Sequence, residues 1–387
     1  MMNLNKITQY HLLRNLAFLF MLGFLVYHLF PFPPIVWRLG LVGVSFIGFF
    51  MHLSRYKFSA VEQSMLLFVL LVSLHFLLSF IWRKPVLTNF GNVLCSMMPV
   101  SLFFVLAAKG TVTQRSLAEF LILSCIAGFF YFSHAESVIL ESVMYGKSGE
   151  ITINASTVFL VIIPLLFFVR DKWIVIGLSI IIVFFIIYGA KRGNIISVVP
   201  PFYLLARMYM KKKKTLMNEL LLILVVLAFA LFAYYLMTSN DYMLSRIEST
   251  LEGDTSNRTT IYGAALMSWL NAPSFVNLIF GYGADGTLSQ IGIRAHNDWL
   301  EILVDYGLIG VAVYLSFMIC LLKAALRNKS NTRLFYALLS VFFIWFSKSV
   351  YSMGFTNDIF SFLSVVIGVV LGLEYRQRKG MPIFLDK

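Results

Sequence analysis

From Arg294 to Gly310 the sequence reads Arg294-Ala-His296-Asn297-Asp298-Trp299-Leu300-Glu301, then Asp305, Gly307 and Gly310. Histidine is the side chain whose charge changes near neutral pH, and arginine offers a fixed fork of donors to a carboxylate or phosphate. Such a set can move a proton, hold an anion, or brace itself with internal ion pairs. The run that follows is apolar and long enough to cross a membrane. Ionisable groups at the mouth of such a helix mark a functional site. An interfacial cap is the competing reading, since Asp298 and Glu301 favour a helix N-terminus and Trp299 suits headgroup level. Asp305 argues against a cap alone. It lies about 10 Å along the helix from Asp298, where a carboxylate needs a partner or an aqueous cavity.

Two further stretches carry cations that could serve the same site. Ala190-Lys191-Arg192-Gly193-Asn194 is a short turn between two apolar segments. Glycines on both sides let a phosphate approach the backbone, and a helix starting near Asn194 adds the positive end of its dipole. Arg192 is therefore read as an anion-binding residue, with Lys191 beside it. Thr255-Ser256-Asn257-Arg258 opens an amphipathic stretch in which Ile261, Ala265, Leu266, Trp269 and Leu270 recur at helical spacing, with Ser256 as cap and Pro273 as stop. The glycine-rich Ile279-Phe-Gly281-Tyr-Gly283-Ala-Asp285-Gly286 then delivers the chain to Arg294.

The elements that must position these residues are membrane helices. The chain has 387 residues, 59% hydrophobic and only 13% charged, where soluble domains carry about 25% charge. Twelve apolar segments recur, at 12–30, 35–53, 62–82, 90–108, 116–133, 152–169, 173–190, 194–210, 217–237, 299–322, 333–351 and 357–374. Each is long enough for the hydrocarbon core. The fold class is thus an all-α polytopic membrane protein of about twelve transmembrane helices, with one long outer loop at 238–298 containing short amphipathic helices. Residues 1–150 form the first five helices and an outer loop, 151–325 the catalytic core, and 326–387 the last two helices and a tail. No small-residue cleavage site follows the first segment, which reads as a retained anchor rather than a signal peptide.

With the N-terminus inside, 21 of the 31 basic residues fall on one face, including Lys211 to Lys214, while twelve of the eighteen acidic residues fall on the other. This asymmetry puts both termini in the cytoplasm. It also accounts for the net charge of +13 without nucleic acid. Cys95, Cys125 and Cys320 lie inside spans without paired spacing, which suits neither a disulfide framework nor a sulfur-bound metal. His134 and Glu136, at spacing two, cannot share a helix face, and zinc wants more ligands nearby. His28 and His75 read as hydrogen-bonded packing residues, and Arg83-Lys84-Pro85 as a solvated connection. No phosphate loop or nucleotide fold is visible, so no cofactor is expected.

Three pieces in order resemble the bacterial O-antigen ligase/polymerase family: the Lys191-Arg192-Gly193 turn, the Arg258…Trp269…Pro273…Gly281-Tyr-Gly283 segment, and His296-Asn297…Leu300-Glu301…Asp305-Tyr-Gly307…Gly310. The likeness spans roughly residues 150–325. It implies a polyprenyl-diphosphate-linked oligosaccharide donor, a saccharide acceptor, membrane lipids and a chain-length regulator protein as partners, and a site on the periplasmic face of the inner membrane. Under it Arg192, Arg258 and Arg294 face the departing diphosphate and His296 activates or orients the acceptor hydroxyl. Lys191, Asn297, Glu301 and Asp305 bind substrate, and Glu301 or Asp305 fixes the histidine tautomer or steadies an arginine. One-step, metal-independent displacement would invert the anomeric centre. The motif serves polymerase and ligase alike; the short outer loops favour a polymerase. A transporter would instead show internal repeats or matched broken helices, and neither is found.

Overall fold

The structure is a computed structural model describing residues 4–82, 86–144, 153–189, 191–209 and 258–383. The expected span at 217–237, Lys211 to Lys214 and the loop up to Asn257 lie outside these, as do Arg83 to Pro85. The described residues are helical throughout, with no strand among them. Helices dominate because lipid offers the backbone no hydrogen-bonding partner, and a helix satisfies its own.

In chain order the helices are α1 (Leu4–Leu25), α2 (Pro34–Leu53), α3 (Ala60–Trp82), α4 (Leu87–Met97), α5 (Pro99–Ala108), α6 (Gln114–Met144), α7 (Thr157–Val161), α8 (Lys172–Tyr188), α9 (Arg192–Tyr209), α10 (Arg258–Leu270), α11 (Phe275–Phe280), α12 (Gly286–Ile291), α13 (Asp298–Arg327), α14 (Thr332–Tyr351) and α15 (Ser361–Arg378). Among the described residues, seven spans are long and apolar enough to cross a membrane: α2, α3, α4 with α5, α6, α13, α14 and α15 with its lead-in. The expected segments at 12–30 and 194–210 form α1 and α9, and that at 173–190 forms the shorter α8. Large apolar side chains such as Leu39, Phe50, Leu70, Leu77 and Ile180 stand exposed on the outer faces, as lipid contact requires.

The segment expected as a single span at 152–169 is instead broken. A 3-10 turn at Asn154–Ser156 leads into the five-residue α7, and a second 3-10 stretch runs Ile163–Phe168. Pro164 accounts for the break, because it has no N–H and its ring crowds the carbonyl of Leu160. All of Thr157 to Phe168 is buried, so this irregular backbone is shielded by protein rather than exposed to lipid.

The bundle's axis is the pair α5–α15. Gly368 and Gly372 place a glycine face on α15, where an added Cβ would meet the carbonyls of Val100 and Phe104. Small residues four apart let two membrane helices approach this closely.

The two ends of the bundle differ in charge. At one end Arg14 donates to the Thr111 carbonyl (2.6 Å), Arg376 donates to the Ala108 carbonyl, Arg55 meets Tyr10, and Lys109 lies over Tyr10 and Tyr56. At the other end the starts of α9 and α13 meet the end of α14, and α10 to α12 lie over them.

The long helix α13 is interrupted at Gly307, whose φ of 66° and ψ of −162° are not helical. The break frees carbonyls just before it. Val304 and Asp305 offer theirs to the N–H groups of Tyr282 and Gly283, both at 2.8 Å. A Cβ at Gly307 would collide with the Ile279 carbonyl. The glycine-rich loop is therefore laid along the membrane helix and paired to it backbone to backbone.

Candidate functional site

The site grows from the turn between α12 and α13. Asn297 caps α13, its Oδ1 accepting from the Leu300 N–H at 3.1 Å while its Nδ2 donates to the Val350 carbonyl at 3.0 Å. Ala295 is buried and donates its N–H to Glu301 at 2.7 Å. Pinned on both sides, the turn holds His296 at a φ of 54° with its side chain exposed. Left-handed backbone is uncommon outside glycine, and strain of this kind gathers where geometry serves function. What burial the ring has, and then the charges of Arg258, Lys191 and Arg294, hold His296 below the ordinary imidazole range. Its neutral form is thereby favoured, with three cations nearby.

Those cations come from three elements. Lys191 precedes α9 and donates to Asn154 Oδ1 at 2.7 Å; burial, then the Arg258 charge, lowers it to about 8. Arg192 is the first residue of α9, half-buried beside it. Arg258 opens α10 and donates to the Tyr351 carbonyl at 3.0 Å, reaching the end of α14. The turn and α10 thus converge on the face that His296 presents.

Arg294 is placed differently. Its guanidinium bridges Asp285 and Glu301, the latter at 3.0 Å, so its charge is matched by two carboxylates. Asp285 also accepts from the Val86 N–H and from Asn89 Nδ2, both at 2.7 Å, which ties the turn to the start of α4. Of the two roles open to Glu301, it takes the second and steadies an arginine. Asp305 is buried and finds its partner in Thr287, whose N–H and hydroxyl it accepts at 2.7 and 2.8 Å. The structure thus brings Lys191, Arg258 and Arg294 near His296, with Arg192 next to Lys191 in the chain, and ties Arg294, Asn297, Glu301 and Asp305 into the hydrogen bonds around the turn.

The outer module has its own small core. Ala265, Ala295 and Val304 are buried together, with Ile261, Trp269, Tyr282 and Leu300 packed around them. Leu266 and Leu270, expected on the buried face, point outward instead, because the helix is clamped on its Ile261–Ala265–Trp269 stripe. His75 is a packing residue as expected: its ring nitrogens lie 2.9 and 2.8 Å from the carbonyls of Leu71 and Phe280. His134 stacks on His28, with ring centroids 4.3 Å apart, and Glu136 accepts from the Tyr188 hydroxyl at 2.7 Å.

The sequence reading missed several partners. Asp298 is fully buried and receives the N–H groups of Gly354 and Phe355 at 2.8 and 3.2 Å, and the Tyr314 hydroxyl at 2.8 Å. The Trp299 indole donates to Ser349 at 3.1 Å in the seam with α14. Lys348, fully buried, donates to Asn194 Oδ1 at 2.9 Å. Asn194 in turn donates to Ser156 and Thr157, at 2.8 and 3.2 Å. A lysine within an apolar span was a signal in itself; its proximity to the 191–194 turn was not legible without the fold.

The family model described as O-antigen ligase matches residues 155–315, from the broken segment around α7 to the middle of α13. No curated protein matches the chain. The matched stretch contains the Lys191-Arg192 turn, Arg258 and the whole of the His296 turn, so over these residues the chain is similar to the O-antigen ligase family.

Proposed function

We propose that the protein is an inverting glycosyltransferase of surface-polysaccharide assembly, joining repeat units carried on a polyprenyl diphosphate. The observation that carries this reading is an exposed histidine on a pinned turn, with Lys191 and Arg258 near enough to disfavour its charged form and Arg192 adjoining Lys191 at the start of α9. The acceptor hydroxyl gives its proton to His296 as its oxygen attacks the anomeric carbon. The carbon–oxygen bond to the diphosphate breaks, and the electron pair leaves with the diphosphate. Lys191, Arg192 and Arg258 stabilise that departing charge, with arginine's fork suited to two oxygens at once. Arg294 holds the turn through Asp285 and Glu301, so that His296 keeps its aim.

The polymerase reading is supported by the outer module, whose described part is three short helices that leave little room for a dedicated acceptor domain. The ligase reading, with transfer to the lipopolysaccharide core, is favoured by the description of the matching family. The basic end of the bundle supports a cytoplasmic placement for itself and the termini, and a periplasmic one for the site in the bacterial inner membrane. The lipopolysaccharide banding of a deletion strain tests the choice. Core bearing a single repeat unit marks a lost polymerase. Bare core with accumulating lipid-linked polymer marks a lost ligase. Unchanged banding would remove both.

A further inference from the structure

Lys348 stands at the end of a membrane span, fully buried, with its ammonium against a neutral amide oxygen. Among the described residues no carboxylate lies within ion-pair distance of it. The charged groups around it come from three other elements: Lys191 on the turn before α9, Arg258 at the start of α10, and Asp298 at the start of α13. Two of these are cations. The carboxylate of Asp298 is already engaged by Gly354, Phe355 and Tyr314. Structural lysines in such surroundings are paired with carboxylates, because an isolated buried charge is costly.

The remaining contacts point toward the turn. Asn194, which accepts from Lys348, lies two residues beyond Arg192 in the first turn of α9 and is itself fully buried. Its amide nitrogen is anchored on Ser156 and Thr157, and the Ser347 hydroxyl meets Ser197 one turn further along at 2.7 Å. The lysine thereby fixes the orientation of the helix start that carries Arg192 and is preceded by Lys191. It also places an amine behind them, where water does not screen any charge it takes up.

We propose that Lys348 is a positioning residue for the donor's diphosphate: held by Asn194, it sets the 191–194 turn, and a positive charge on its buried amine is favoured when an anion occupies that turn. This rests on the diphosphate-donor reading given above. Oriented charge in a dry site is set before the ligand arrives and requires no rearrangement when it binds.

The test uses farnesyl diphosphate as probe and farnesol as control, with binding and thermal stability measured on the full chain in nanodiscs. Asn194→Asp gives Lys348 a carboxylate at the position of its present acceptor, and the hydroxyls of Ser156 and Thr157 can donate to it. Thermal stability should hold or rise, while affinity for farnesyl diphosphate falls about tenfold, as expected for a lost charge-assisted contribution. Lys348→Met should lose affinity to a similar degree. If Lys348 only braces α14 against α9, Asn194→Asp will bind the probe as the wild type does, and the inference is overturned. If the wild type binds farnesyl diphosphate no better than farnesol, the donor reading itself fails and takes this inference with it.

Discussion

The pH dependence of donor use should carry a mark of Lys191. Burial and the neighbouring Arg258 lower its ammonium to about 8. The charge is present below that pH and lost above it. By simple titration about nine-tenths of the molecules carry it at pH 7 and about one-tenth at pH 9. If only the charged form engages the donor diphosphate, kcat/KM for the donor should be about tenfold lower at pH 9 than at pH 7. The quantity must be kcat/KM, because it reports the free enzyme; bound diphosphate would hold the proton on and move the limb upward. Initial rates in nanodiscs, with donor varied at fixed acceptor and ionic strength, would trace the profile from about pH 5.5 to about 10. Lys191→Arg should abolish the alkaline limb while leaving the acid one, since guanidinium stays charged throughout. The acid limb belongs to His296 and should lie below the ordinary imidazole value, because the group's neutral form is favoured by its surroundings. An alkaline limb that persists unchanged in Lys191→Arg, or a wild-type profile flat to about pH 10, would refute the assignment.

Replacing His296 with Ala should lower turnover by about 100- to 10,000-fold without loss of folded protein. The Gln variant should be severely impaired as well; near-normal rates in Gln would reduce the residue to orienting the acceptor. Arg192→Lys keeps the charge and loses the fork, so a large fall in product at normal protein level is expected, checked by rate per mole of enzyme. Gly307→Ala places a Cβ in a backbone region open almost only to glycine and against the Ile279 carbonyl. Thermal denaturation should show a loss of at least about 2 kcal/mol, and a wild-type melting curve would count against the seam described above. Gln290→Cys lies exposed on α12 and should react with an impermeant maleimide in intact spheroplasts; reaction only after permeabilisation would reverse the membrane orientation.

Much of this arrangement could be read from residue types alone. Span lengths follow from hydropathy, and Asp305 announced that it needed a partner. What could not be read was the identity of partners distant in sequence. Asp305 meets Thr287, while Asp298 meets amides near residue 354. Arg294 was expected at the diphosphate, but a sequence cannot show that Asp285, delivered by a left-handed turn, would share it with Glu301. Pro164 signals the break near α7, yet hydropathy averages over it and returns a straight span. Lys348 was counted among the outer basic residues and not singled out, because nothing local distinguishes an ammonium at a membrane edge from one folded against Asn194.

The seam at Gly307 bears on how such a protein can change over time. The loop that carries Tyr282 and Gly283 is registered on α13 by N–H and carbonyl groups, which every residue but proline possesses. Side chains on the outward side of that loop are therefore free to drift, provided the glycines that permit the close approach stay in place. A lineage could reshape the outward surface of this loop while inheriting the depth and angle of the His296 turn unchanged. Variation in what is recognised is in this way uncoupled from the alignment that bond-making demands.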